Sequence, residues 1–119
     1  MAWEVPFDAF RTGATYQTLV GDEQGSTPLR IGIQTSSPGY RTPLHSHPYL
    51  EALTILEGEG EAWMAGGEPF PIAPGMTLVF PANSRHWFRA GARGLKTCGV
   101  HASPHRVVIE HEDDGKSFW

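Results

Sequence analysis

Glycine and proline recur along this chain at intervals too short for helices of ordinary length. Fourteen Gly and ten Pro are spread from end to end, and a helix needs about 10 to 14 uninterrupted residues to be worth its nucleation cost. The spacing therefore predicts an all-β chain. Candidate strands fall at residues 17–20, 29–36, 50–56, 61–65, 70–72, 77–80, 86–89, 95–101 and 106–111. Gly66-Gly67 has the composition of a two-residue hairpin turn, and Pro74-Gly75 and Pro81-Ala82-Asn83 mark further turns. Many short strands joined by tight turns predict a barrel or a sandwich.

A length of 119 residues accommodates one modest core, so residues 1–119 are expected to form a single domain. The formal charge is −4, and no run of Lys or Arg forms a stripe that could follow phosphates, which argues against a nucleic-acid partner. No stretch of about 18 apolar residues occurs, and the first residues lack a basic segment followed by an apolar one, so no membrane segment or leader is expected. Cys98 is the single cysteine. With no intrachain disulfide to form, a cytoplasmic location is expected.

His45 and His47 stand two apart, so on an extended segment both rings point to one side, with Glu51 a further even step along. Glu51 opens the apolar run Ala52-Leu-Thr-Ile-Leu56, and parity puts its carboxylate on one face with Leu53 and Ile55. A carboxylate on a core face must be paired or bound to a cation. His86, after the turn at residues 81–85, supplies a fourth donor from a different hairpin. Three imidazoles and one carboxylate suit one divalent transition metal ion, Mn, Fe, Co, Ni, Cu or Zn, and in six-coordination leave two positions open.

The segment Gly39-Tyr-Arg-Thr-Pro-Leu-His45-Ser-His47-Pro-Tyr-Leu-Glu51-Ala-Leu-Thr-Ile-Leu-Glu-Gly58 resembles the first cupin motif. Gly75-Met-Thr-Leu-Val-Phe-Pro81-Ala-Asn83-Ser-Arg-His86 is similar to the second. Two departures stand out: Asn83 occupies a position where the family usually has Gly, and Ala90 one where it often has Asn. Asn tolerates the left-handed backbone, so the turn is expected to survive. The resemblance covers residues 28–101. It implies an antiparallel jelly-roll barrel (double-stranded β-helix) of about six to eight strands, with a short tail after it. It also implies a metal in the barrel mouth on His45, His47, Glu51 and His86, and a homodimer.

Outside this set, His101 shares strand parity with Thr97 and Gly99, opposite Lys96, and is expected to face the interior as a core histidine or as an acid or base beside the metal. Cys98 falls on the other face and receives no chemistry. His105 and His111, near Arg106, Glu110 and Glu112, read as surface residues. Trp87 alternates with His86 and should point away from the metal. Trp63 and Tyr40 are candidates for a substrate pocket or for packing on an outer face. Arg41, Arg85 and Arg89 flank the motifs as anion-binding or salt-bridging groups. Phe118 and Trp119, in a charged end segment, would be costly to leave in water.

The function expected from the resemblance is a small mononuclear metalloenzyme of dioxygenase type acting on an enolic, phenolic or thiol substrate. Glu51 or His101 would accept the proton, and Leu53, Ile55, Met64 and Phe88 would form an apolar wall. A metal-dependent isomerase or lyase would use the same ligands. A non-catalytic module binding a small, sugar-like ligand and a barrel with a vestigial site are the other readings. Fold alone does not choose among them.

Overall fold

The computed structural model describes residues 8–11 and 13–112, and every regular element among them is a strand. In chain order these are β1 (Asp8–Arg11), β2 (Ala14–Val20), β3 (Arg30–Ser36), β4 (His45–Ser46), β5 (Glu51–Met64), β6 (Phe70–Ile72), β7 (Thr77–Phe80), β8 (His86–His101) and β9 (Ile109–Glu110). All pairings are antiparallel. The path runs β1-β2-β3-β8-β4-β9, and β5 pairs with β6, β7 and β8. The result is a single curled sheet of jelly-roll type. Phe118 and Trp119 lie outside the described residues. Among the described residues no helix is long and apolar enough to cross a membrane.

Alternation decides which face turns inward. Along β5, Glu51, Leu53 and Ile55 are buried while Ala52 and Thr54 are half-buried, and along β7 Leu78 and Phe80 are buried while Thr77 and Val79 are exposed. Those inward residues meet Ala62, Ile72, Phe88, Ala90 and Leu95 in one core, with Met64, Phe70 and Met76 packed on it.

Two pairs of expected strands merge. Residues 50–56 and 61–65 belong to the single β5, and 86–89 and 95–101 to the single β8. The breaks seen in the sequence are bulges: pairing skips Leu56 between Ile55↔Thr97 and Glu57↔Lys96, and then skips Glu59 and residues 91–94 between Gly58↔Leu95 and Gly60↔Ala90. Bulges bend a strand and sharpen its twist, which lets β5 and β8 each serve both halves of the curl. The backbones nearly touch at this corner. Gly58 sits at φ 86°, and a Cβ there would run into the carbonyl oxygen of Gly94.

Three other expectations change. The Gly66-Gly67 turn is real, with Gly66 at φ 90° and Gly67 N–H donating to Met64 O at 3.1 Å, but pairing resumes only at Ala62↔Phe70, so the loop is longer than two residues. The expected strand at 106–111 is reduced to Ile109–Glu110 by its short pairing with β4. β1 and β4 were not foreseen, β4 because two paired residues leave no alternation to read.

Candidate metal centre

Two cross-strand pairs assemble the site. His45 of β4 stands directly opposite His86 at the start of β8, and Glu51 at the start of β5 stands opposite His101 at the end of β8. His47 joins them from the loop after β4. Asn83, the one non-glycine residue with positive φ among the described residues at 66°, donates its N–H to His47 O at 2.7 Å, tying the two motif turns together. The His45 and His86 ring centroids are 4.3 Å apart, and those of His47 and His86 5.0 Å.

Each of the three imidazoles spends Nδ1 on a backbone carbonyl. His45 Nδ1 lies 2.7 Å from Pro43 O, His47 Nδ1 2.8 Å from Tyr49 O, and His86 Nδ1 2.8 Å from Ser84 O. A carbonyl only accepts, so each Nδ1 carries a proton, which turns Nε2 into the site as the ring nitrogen available to a metal. This is how metal-binding histidines are oriented. The freed nitrogens converge on one carboxylate. His47 Nε2 is 2.8 Å and His86 Nε2 3.6 Å from Glu51 Oε1, and His101 Nε2 is 3.3 Å from Oε2.

Electrostatics agree with that assignment. Burial pushes the Glu51 carboxyl up, but close interactions with the His101, His47 and His86 imidazoles together outweigh it and hold it well below the usual range. Burial, reinforced by neighbouring His86, pushes the His45 imidazole down to about 4, so it is a neutral donor at pH 7. An ionised, buried carboxylate needs a positive charge beside it, from a protonated imidazole or from a metal ion held in its place. The donors of His45, His47 and His86, and separately those of His47, Glu51 and His101, lie within 4.8 Å of one another. His86 Nε2 is fully buried and has no hydrogen-bond partner among the described residues. This chemistry fits a divalent transition metal.

A cavity of about 640 Å³ opens over these donors. Leu53, Phe80 and Phe88 line its inner wall, and Tyr16, Arg30, Gln34, Tyr40 and Arg106 line the rest. Ile55 and Met64, expected in that wall, belong instead to the core beneath it. Gly99 is what lets Glu51 and His101 approach: a Cβ there would lie 3.1 Å from His101 Cε1 and 3.6 Å from Glu51 Oε2.

The remaining candidates disperse. Arg89 pairs with Glu61, the Arg41 guanidinium lies 5.0 Å over the Trp87 ring, and Arg85 is exposed. Trp87 is fully buried, and Trp63 bonds Gly67 O. Cys98 is half-buried and lies off the cavity. His105 is exposed on the cavity rim, whereas His111 is half-buried with Nε2 2.7 Å from Ser46 Oγ, so it is no simple surface residue. Sequence reasoning missed Tyr49, whose ring stacks on His47 at 4.5 Å, and the cavity residues Tyr16 and Arg30. The register Arg30↔His101 is the signal that would have found Arg30, and it exists only once strands are paired.

A family model described as "Cupin domain" matches residues 32–95. Auxin-binding protein T92 of Nicotiana tabacum is 28% identical over 123 residues, covering 92% of this chain and 66% of that protein. L-ectoine synthase of Bordetella parapertussis is 30% identical over 82 residues, covering 68% of this chain and 63% of that protein. The chain thus spans less than two thirds of the length of these curated relatives. Among solved structures, the polyketide cyclase RemF from Streptomyces resistomycificus superposes with a TM-score of 0.80 at 20% identity, covering 93% of this chain and 83% of that one. At that identity the likeness shows the fold.

Proposed function

The chain belongs to the cupin family, and from that premise we propose that it is a mononuclear metalloenzyme that holds one divalent transition metal on His45, His47, Glu51 and His86. Its substrate would be a small molecule in the cavity above them. The observation that carries the reading is the shared ring orientation: three Nδ1–H groups tied to carbonyls turn three Nε2 atoms into the site, and those of His47 and His86 face the Glu51 carboxylate. Bound there, the metal would supply Lewis acidity to a substrate hydroxyl or carbonyl.

The chain's own residues then do the proton work. Glu51 lies between the ligand histidines and His101, and His101 Nε2, 3.3 Å from Glu51 Oε2, is placed to take a proton from substrate or return one. Leu53, Phe80 and Phe88 exclude water on one side. This pairing of a Lewis-acid site with an adjacent base best supports lyase, cyclase or isomerase chemistry. The names of two relatives, a synthase and a cyclase, point the same way. The dioxygenase reading on an enolic, phenolic or thiol substrate is favoured by the apolar wall and by a donor set that suits redox-active metals.

The deciding experiment is elemental analysis of protein purified without added metal or chelator, followed by turnover screens in air and under argon. About one metal per chain with oxygen-independent turnover supports the first reading. Strict oxygen dependence moves the assignment to a dioxygenase. Ligand-dependent thermal shifts with no product make the barrel a binding module. The same proposal takes residues 1–119 as one domain of a cytoplasmic homodimer. Exposed Leu56 and Val79, on the outer side of β5 and β7, support association.

A further inference from the structure

One cation in the cavity, Arg30, has no counter-charge paired with it among the described residues. The half-buried Arg30 side chain lines the same cavity as the metal-site residues, yet it makes no ion pair among the described residues. Its orientation is nonetheless fixed. Nε donates to Ser103 O at 3.2 Å, Nη2 donates to Tyr49 Oη at 2.9 Å, and the guanidinium lies 5.5 Å over the Tyr49 ring. Gly21 leaves room for its stem, since a Cβ there would be 2.8 Å from Arg30 Cγ. Two of five N–H donors are used, and the rest have no protein acceptor among the described residues.

The surroundings are built for an anion reaching in. Tyr16 is close enough to Arg30, Arg106 and Glu51 to feel all three charges, and burial, the largest influence, pushes its phenol up, so it remains an O–H donor at neutral pH. Gly32 makes its seat, since a Cβ there would collide with the Tyr16 hydroxyl. Besides Glu51, the buried carboxylate of the metal site, the acidic groups on the cavity are Asp22, Glu23 and Glu110, which are exposed at the rim, and Asp22 Oδ1 accepts the Ser26 N–H. Arg30, half-buried, lies deeper than those rim acids. From its guanidinium to the Tyr49 ring is 5.5 Å, and from that ring to the stacked His47 ring is 4.5 Å. One small molecule can therefore touch both the arginine and the metal ligands.

We propose that the substrate is a small monocarboxylate whose carboxylate is held by Arg30, with Tyr16 beside it, while its reacting end lies over His47 and Glu51. The inference deepens the metalloenzyme reading and rests on it for the position of the reacting end. Arg30 is a specificity-determining residue, because a guanidinium holds a carboxylate in two-point fashion that a neutral amide cannot match.

The test compares butanoate, hexanoate, benzoate and 3-phenylpropanoate with their primary amides, by calorimetry on zinc-loaded and chelator-stripped protein. The expected result is an acid-over-amide preference of about tenfold to a hundredfold for the acids that fit. It persists without metal and falls to near parity in Arg30→Gln. Unchanged amide affinity shows that the variant's cavity is intact. Arg30→Lys, which keeps the charge without the fork, loses most of the preference. Equal affinity of acids and amides in the unaltered protein overturns the proposal, as does a preference that Arg30→Lys leaves whole. A preference that survives Arg30→Gln but vanishes with the metal also overturns it, since the carboxylate is then a metal ligand. Failure to take up zinc with an intact Arg30-dependent preference sinks the metal reading and leaves the carboxylate site standing.

Discussion

Glu51 and His101 are direct cross-strand partners, with Oε2 and Nε2 3.3 Å apart over a glycine that makes space for both. The pair joins the candidate metal ligands to a histidine that the two family motifs do not include. His101 lies outside the proposed ligand set, although its donor clusters with those of His47 and Glu51. In His101→Gln, metal content should hold while kcat falls about a hundredfold to ten-thousandfold, the usual worth of a positioned acid or base. Glu51→Ala should abolish turnover. Full activity of Glu51→Ala with normal metal content would remove Glu51 from the mechanism.

Metal retention should depend on the opposed pair His45 and His86. The His45→Ala, His86→Ala double variant removes two of the four proposed ligands and leaves His47 and Glu51 with only His101 as a further donor within reach, so retention through purification should collapse. Elemental analysis should read near one metal per chain in the unaltered protein and near none in the variant.

Stability of the stripped protein should fall on acidification. His45 is depressed to about 4 from 6.5 in the fold, so between those values the unfolded chain binds the proton first, and stability drops as pH falls through that window. Glu51, held below its ordinary 4.5, extends the loss to lower pH. The slope attributable to one such group is at most about 1.4 kcal/mol per pH unit. Urea midpoints of stripped protein that stay flat from pH 6.5 to 4 would contradict the burial of a neutral His45.

The corner between β5 and β8 should tolerate no side chain at Gly58. With φ at 86° and the Gly94 carbonyl in the way, Gly58→Ala combines backbone strain with a clash and should cost more than about 2 kcal/mol. For a domain of this size that is a fall in Tm of about 8 °C or more, read by thermal melt.

Asn83 gives the converse case. Its φ of 66° is left-handed, so Asn83→Gly should be close to neutral in stability, while Asn83→Ala should cost about 1 kcal/mol. Equal melting curves for the two variants would mean that the turn changes conformation when the residue does.

Parity carried most of what the sequence could tell. It turned Glu51, Leu53 and Ile55 to one face and sent Trp87 away from the metal-facing side. It also aimed His101 inward, because each of those inferences needs only a strand and its period. Proline and glycine punctuation located β6 and β7 to the residue. What failed was non-local. Bulges read as strand ends, since a skipped pairing and a true turn carry the same glycines. The cavity wall was assigned one layer too deep at Ile55 and Met64, since parity separates inside from outside but not core from cavity. Arg30, Tyr16 and Tyr49 come together only through the pairing of β2, β3 and β8 and the stacking on His47, which no local pattern encodes.

β8 begins at His86 and ends at His101, and both ends arrive at the same carboxylate. An ion held between His45 and His86 would join two points far apart in the chain, and because that site exists only in the folded barrel, the binding free energy adds to the free energy of folding. The centre would then behave as a cross-link as well as a reactive site. Loading it should raise the melting temperature of the whole barrel, and chelation should loosen strands that never touch the ion.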